Sequence, residues 1–313
     1  MPDYTALKTP GAIGDSQLTQ QLMGNVCAFL DWALLGLGGY YNVKSNTQQP
    51  YGGDASVLRL SDDPRYTKGM VWDGFKNNWV WEQGIDGSAQ PIQISGIYVN
   101  NVFFPNDTST YNISYPQGRV MFYTGISPNS VVQVEYSYKA TSVYPANVQW
   151  FKELMQQSFR LDNAQFKSYG SGIWSTFPES RAQLPAVVVE SVPRRSFKGY
   201  QIGGGQWLYT DIYLHVLSST VESRDNLLDI LTYQNEKKFF MFDKNMVAAS
   251  GAFPINQYGY LVNPGSTYPN LLNNFLQRYA IIRECTSQQT VNDSQSVQYG
   301  VAKWRLEISM PEI

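Results

Sequence analysis

From Ile97 to Tyr138 the chain is written as short alternating runs separated by turn chemistry, and that spacing confines it to small antiparallel sheets. Ile97-Tyr98-Val99 and Val102-Phe103-Phe104 flank Asn100-Asn101, and asparagine tolerates the positive φ that a two-residue hairpin turn demands. Tyr111 to Tyr115 and Arg119 to Tyr123 are separated by Pro116-Gln117-Gly118. From Val131 to Tyr138, Val132, Val134, Tyr136 and Tyr138 fall on one face of a strand and Gln133, Glu135 and Ser137 on the other, since strand side chains alternate. Short strands punctuated by turns read as a small sandwich or barrel-like module.

The flanks have a different period. Leu18, Leu22, Val26, Phe29, Leu30, Ala33 and Leu37 recur at helical spacing after Asp15 and Ser16, both good N-caps, and Gly36, Gly38 and Gly39 end the run. Beyond the module, Pro145 suits a first helical turn, and Val148, Phe151, Leu154, Met155 and Phe159 continue a helical pattern to Leu161. The expected organisation is therefore an N-terminal arm, helix and Trp-rich segment over 1–90, a separable β module over 91–140, and a helix plus mixed α/β region over 141–313. The class is α+β. Within the last region Leu184 to Glu190 reads as a strand. Phe197 to Ile202 and Trp207 to Leu217 form a hairpin about Gly203-Gly204-Gly205, and Ser219-x-x-Glu222 is a capping box opening a helix to about Gln234. Phe239 to Phe242 is a strand and 245–270 a long loop. Phe275 to Glu284 and Gln298 to Ser309 are the final strands.

Composition removes many functions. Only 15% of residues are charged, the formal net charge is -2, and polarity is carried instead by 24 Gln and 21 Asn. Without a basic excess a dedicated nucleic-acid binder is not expected. The apolar run from Val26 to Gly39 contains Asp31 and falls short of the ~20 residues that span a bilayer, so no membrane partner is expected. The first sixteen residues hold no basic stretch followed by an apolar core, so no signal peptide is expected.

One histidine, His215, and two cysteines, Cys27 and Cys285, are too few for the usual zinc site. A Ser-His-Asp enzyme would have to use His215. Asp211 lies on the same strand face but about 13 Å away, out of hydrogen-bond reach. His215 reads as a surface or interface residue whose replacement by alanine is tolerated. Gly203-Gly204-Gly205 is followed by Gln-Trp, not by the Lys-Ser/Thr of a phosphate loop. Asp62-Asp63 and Asp73/Glu82 offer paired carboxylates with nothing to converge them. Trp72, Trp79 and Trp81 read as core or interface, with sugar stacking the alternative. No enzyme activity, cofactor or metal is expected.

The stretches LPAVVVESV, FKGYQIGGGQWLYTDIYLHVLSSTVESRDNLLDILTYQ and KKFFMFD resemble the tail-terminator and neck proteins of tailed bacteriophages. IYVNN…YNISYPQGRVMFYTGISPNSVVQVEYSYK is similar to a small β module of phage virion proteins. The resemblance covers about two-thirds of the chain. It implies a tail-terminator-like C-terminal domain carrying an inserted β module, and a structural virion protein at the head–tail junction, assembled in the host cytoplasm. Such a protein forms a ring, commonly a hexamer, against head-connector and tail proteins, with viral DNA only as cargo in its channel. Phe253, Tyr258, Tyr260 and Tyr268, aromatic residues in the 245–270 loop, are the expected ring contact. The alternative is a carbohydrate- or receptor-binding tail-fibre or baseplate protein using the Trp/Tyr-rich β region.

Overall fold

A computed structural model describes residues 18–50, 52–82, 84, 89–107, 109–148, 150–151, 183–199, 206–289 and 297–310. Helix α1, Leu18–Gly36, is followed at once by the β module. Its strands are β1 (Tyr40–Val43), β2 (Arg59–Leu60), β3 (Val71–Asp73), β4 (Trp79–Val80), β5 (Gly96–Val99), β6 (Val102–Pro105), β7 (Tyr111–Ser114), β8 (Arg119–Phe122), β9 (Val132–Gln133) and β10 (Tyr136–Lys139). They make three small sheets, ordered β1-β10-β4, β2-β3-β8-β7 and β6-β5-β9. The Asn100-Asn101 turn is left-handed at both residues, φ 51° and 66°, as the hairpin requires. The run from Val131 to Tyr138 is not one strand: β9 and β10 serve different sheets.

The boundary expected at residue 91 does not separate packing units. Val43, Leu58, Trp72 and Trp79 share one buried cluster with Ile97, Tyr111, Val120 and Tyr136. Strand β1 pairs with β10 from Tyr40↔Lys139 to Val43↔Tyr136. Thus the module is an insertion, but it spans 40–139, and its first and last strands close it. Excising 91–140 alone would strip the partners from β1 and β4 and open that core.

After the insertion come β11 (Ser142–Pro145), β12 (Ala186–Gly199), β13 (Gln206–Ser218), α2 (Val221–Thr232), β14 (Lys238–Phe242), α3 (Lys244–Ser250), α4 (Tyr268–Phe275), β15 (Leu276–Gln289) and β16 (Gln298–Met310). Pro145 ends an edge strand rather than opening a helix. Trp150 and Phe151 are helical, while the helix expected onward to Leu161, the Asp15 and Ser16 caps and the Gly203–Gly205 turn lie outside the described residues. The expected 245–270 loop contains α3, capped by Asp243, and the start of α4, capped by Thr267. Helix α2 is capped by Thr220, whose hydroxyl accepts from the Ser223 N–H at 3.2 Å, not by Ser219.

The six strands run in the order β11-β12-β13-β16-β15-β14 and curl as half a barrel. One face carries α1 and α2. Leu22, Val26, Phe29 and Leu30 of α1 and Leu227, Leu228 and Leu231 of α2 pack on Leu208, Ile212, Leu214 and Val216 of β13 and Ala302, Trp304, Leu306 and Ile308 of β16. Trp304 is fully buried and donates its indole N–H to Leu231 O at 2.9 Å, satisfying a carbonyl in the last turn of α2. Gly300 lets α2 approach, because a Cβ there would stand 2.8 Å from Leu228 Cδ1.

This is an α+β fold, but not that of a tail terminator. The expected first strand and the first arm of the hairpin are one continuous strand, β12, so the matched order of elements builds a different sheet.

The sheet guards its edges. Between Ser191 and Arg195, β12 advances four residues while β13 advances two, a bulge that contains Pro193 and breaks the edge. At the other edge, Asn25 of α1 acts as a strand substitute. Its Oδ1 accepts from Phe242 N–H at 2.9 Å and its Nδ2 donates to Phe242 O at 3.0 Å and to Gln21 O at 2.9 Å. Asn25→Ala leaves both main-chain groups of Phe242 buried without partners. A loss of about 3 kcal/mol is expected in urea unfolding; a loss under about 1 kcal/mol would show that Asn25 does not hold this edge.

Candidate functional site

Polar side chains gather on the face of the six-stranded sheet opposite α1 and α2. Strand alternation places Asp211, Tyr213 and His215 of β13 there, beside Tyr299, Lys303, Arg305 and Glu307 of β16. Asp211 accepts from Lys303 at 2.9 Å and Arg305 at 3.2 Å, and Arg305 reaches Glu284 at 2.9 Å. Burial would raise the Asp211 carboxyl, but the hydrogen bonds and charges of Lys303 and Arg305 outweigh it and hold it below its usual range. Arg283 bridges Glu307 at 2.6 Å and Glu236 at 2.8 Å. The Lys238 ammonium lies 4.0 Å from the Tyr279 ring centre, and Trp207 meets Tyr279 edge-on. These cations are matched by anions or rings, so they offer no free positive surface for a polyanion.

His215 is the centre of a three-strand chain. Its Nε2 lies 2.8 Å from Glu190 Oε2 on β12, and its Nδ1 lies 2.5 Å from the Tyr299 hydroxyl on β16. Glu190 is paired with Tyr213, two residues from His215, so the contact is diagonal across strands. The residue is 5% exposed, with the Phe151 ring packed on it at 5.0 Å. It is therefore a buried structural residue, not a surface one. A carboxylate–imidazole–phenol chain can pass a proton along its length. Burial, reinforced by Glu190, nevertheless pushes the Tyr299 phenol up to about 12, and Phe151 covers the imidazole. The arrangement has the form of a strap across three strands.

The four residues expected at a ring contact do not form one surface. Tyr268 is buried at 9% exposure in α4, its ring stacked 4.9 Å from Trp32, and Phe253 packs in the same cluster. Tyr260 is half-buried, and its hydroxyl lies 3.3 Å from Met121 Sδ. Only Tyr258, at 62%, is exposed. The loop is stapled to the β module: Tyr115 N–H donates to Gly259 O at 3.1 Å and the Ser114 hydroxyl to Tyr258 O at 3.2 Å. Asn256 Oδ1 accepts from both Tyr258 N–H and Tyr260 N–H, setting the turn. The Tyr258 and Tyr260 rings lie 5.8 Å apart, and burial, reinforced by the charges of Tyr66, Tyr123 and Tyr258, raises the Tyr260 phenol above its usual range.

Trp72 and Trp79 are 3% and 1% exposed, and Trp81 packs partly buried on their cluster; they are core. Asp63 and Asp73 converge on the buried Arg119, at 3.4 and 2.9 Å. Hydrogen bonds from Arg65, outweighing burial, with the charges of Arg65 and Arg119, draw the Asp63 carboxyl down to about 2. Glu82 instead accepts from the Trp32 indole at 2.7 Å, and Asp62 lies outside this ion network. Cys27 and Cys285 are separate free thiols, and burial pushes Cys27 to about 12. Among the described residues no three His, Cys, Asp or Glu gather as a metal site, and no helix is long and apolar enough to cross a membrane.

Among the described residues, apolar surface includes a cleft and a hairpin. A cleft of about 440 Å³ between α1, β14 and α4 is lined by Trp32, Phe240, Tyr268, Leu272, Asn273 and Leu276. Far along the chain, the β5–β6 hairpin exposes Tyr98 (45%), Val102 (58%) and Phe103 (46%). Neither stands out as a surface in the sequence. The hairpin itself is legible in its Asn-Asn turn, but the cleft joins elements more than 200 residues apart.

Two tests follow from the strap and the stapled loop. His215→Ala is expected to cost about 2–3 kcal/mol in urea unfolding, because it leaves the Tyr299 hydroxyl unpaired over a cavity. Tyr299→Phe should cost about 1 kcal/mol and couple to His215→Ala in a double-mutant cycle; strict additivity would dismiss the strap. Gly259 has φ 82°, and a Cβ there would lie 2.7 Å from Ser114 Oγ and 2.8 Å from Pro116 Cδ. Gly259→Ala should speed hydrogen exchange at the Tyr115 amide at least about tenfold, equivalent to about 1.4 kcal/mol; unchanged exchange would mean that the loop is held elsewhere.

Compared with models of known protein families and with curated proteins, the chain matches none.

Proposed function

We propose that the chain is a non-enzymatic structural subunit of a larger protein assembly, and that this assembly is the neck, or head–tail junction, of a tailed bacteriophage. The observation that carries the structural reading is where polarity and apolarity lie. His215, Asp211, Asp63 and Glu307 are turned inward or across strands into internal pairs, whereas Tyr98, Val102, Phe103, Phe240, Tyr258 and Leu276 remain in solvent. Aromatic and apolar residues of this kind are the material of protein interfaces. The virion assignment rests on the sequence resemblance of the 97–138 and 184–242 stretches alone, since the 184–242 elements build a sheet unlike that of a tail terminator. As a head–tail protein the chain would close a ring with its own copies and join head to tail, with DNA passing as cargo. The near-balanced charge of the sheet face suits a surface that does not retain phosphates.

A second reading draws on surface tyrosines. Tyr258 and Tyr260, with rings 5.8 Å apart, and Tyr123, whose hydroxyl accepts from the Asn112 amide at 2.6 Å, offer rings and hydrogen-bonding groups of the type that hold sugars. A receptor-binding tail-fibre or baseplate protein would use these tyrosines, not the buried tryptophans.

Mass spectrometry and electron microscopy of purified particles separate the two. A neck protein is expected at a fixed copy number, with antibody label at the head–tail joint. Label at the tail tip, together with specific binding on a glycan array, supports the second reading; absence from particles removes both.

A further inference from the structure

We propose that the pocket at the seam of the β module and the start of α2 binds a neutral sugar, held by Tyr41 and Tyr138 of the module and by Glu222 and Asn226 of the helix. The inference goes beyond the structural-subunit reading and does not depend on it. The pocket is also distinct from the stapled loop, since neither Tyr258 nor Tyr260 lines it. It measures about 350 Å³, at the small end of the ~300–1,000 Å³ typical of small-molecule sites.

The lining comes from β1, β10, the β3–β4 loop, the approach to β12 and the first turns of α2. Tyr41 and Tyr138 are direct register partners. Their rings therefore share a sheet face, 5.5 Å apart and tilted by 41°. Gln183 ties the seam together: its amide donates to Lys139 O at 3.1 Å and its Oε1 accepts from Asn77 N–H at 3.2 Å. On α2, Glu222 and Asn226 are four residues apart and so share a helix face. The Thr220 hydroxyl fixes the first turn through Ser223 N–H. The parts of the pocket are thus held by internal bonds that a ligand need not supply, which lowers the ordering cost of binding.

Charge and hydrogen-bonding capacity define the ligand. The lining holds one cation, Lys76, and one anion, Glu222, so it favours no net charge. The side chains of Tyr41, Lys76, Tyr138, Glu222, Ser223 and Asn226 make no hydrogen bond or ion pair with the described residues. The Lys76 ammonium meets only the Phe75 and Tyr138 rings, at 5.2 and 5.9 Å from their centres. Lys76 can only donate, Glu222 can only accept, and the hydroxyls and the Asn226 amide do both. A ligand hydroxyl answers all of them, because one atom both donates and accepts. A phosphate or carboxylate would suit Lys76 but meet Glu222, and an ammonium would do the reverse. An apolar ligand would desolvate these groups without giving them partners. The tyrosines add the last requirement. Tyr41 is 59% exposed, and the C–H face of a sugar ring, made partly positive by its oxygens, packs on the negative face of an aromatic ring. A ring that carries several hydroxyls and an apolar C–H face is a sugar.

The full-length protein is screened by saturation-transfer NMR against glucose, galactose, mannose, N-acetylglucosamine, lactose and maltose at millimolar concentration. Glucuronate and glucosamine serve as the anionic and cationic probes. At least one neutral sugar is expected to bind, and to bind more tightly than either charged probe. Tyr41→Ala and Asn226→Ala replace exposed side chains, so each should leave thermal unfolding unchanged while weakening that sugar at least about tenfold. Glu222→Gln should weaken it as well, and Tyr41→Phe, which keeps the ring, should retain most of the affinity. Tyr233→Ala, at a tyrosine 85% exposed at the other end of α2, should bind as the parent does. Binding of none of the neutral sugars overturns the proposal, as does a preference for glucuronate or glucosamine. Undiminished binding by both Tyr41→Ala and Asn226→Ala also overturns it. Loss of binding in Tyr258→Ala while the pocket variants bind normally assigns the sugar to the stapled loop and overturns it too. Pocket-dependent sugar binding by a chain absent from purified particles would uphold the pocket and remove the virion reading, so the two fail separately.

Discussion

The antiparallel pairing of β13 with β16 is the constraint on which the remaining structure hangs. It holds register over thirteen residues, from Gln206↔Met310 to Ser218↔Gln298, a length of about 40 Å. Side chains alternate, so this one register decides both faces together. Ile212 and Trp304 are sent to α1 and α2, and Asp211 and Arg305 to the opposite face. A slip of β16 by one residue would drive Lys303 and Arg305 into the core and turn Trp304 away from it. The ion pairs formed by Asp211 therefore accompany the apolar packing: both follow from one alignment, and each resists the slip that would destroy the other.

The β module is attached to this frame in a manner that leaves little freedom. Tyr40 and Lys139 pair where the chain enters and leaves it, Lys139 Nζ reaches Asp31 on α1, and the Asn78 amide donates to Ser142 and Tyr144 at the start of the sheet. The stapled loop around Gly259 is a further tie from the opposite direction. An insertion fixed at several points can carry a load between partners, and a rigid hairpin on such a module keeps its aim. This property suits the proposed structural role: aromatics presented by preorganised turns lose less entropy on being covered.

The candidate site was only partly legible from the chain. Period-two patterning correctly put His215 opposite the apolar side chains of its strand, yet could not reveal that Glu190 and Tyr299 would flank it. Those partners come from strands 25 and 84 residues away, and their approach depends on sheet order, which alternation does not encode. The tyrosines of the 245–270 loop show a different limit. Their aromatic character suggested an interface, and the structure gives Tyr260 and Tyr268 contacts within the chain while leaving Tyr258 exposed. Burial of Trp72 and Trp79 followed more simply from their size and from the apolar residues around them.

Local chemistry by itself determined the helix stop at Gly36–Gly39, the Asn100-Asn101 hairpin, the lack of a basic excess, and the α+β class. These depend on backbone preference and composition within a few residues, where the physics is short-ranged. Only the tertiary structure decided that 40–90 and 91–140 share a core, that β12 runs unbroken from the expected first strand into the expected hairpin arm, and that Asn25 closes a sheet edge more than 200 residues away. Each of those outcomes turns on which distant backbone donor meets which acceptor. A single strand presents equivalent groups to many partners, and the choice among them is made by the packing of the whole.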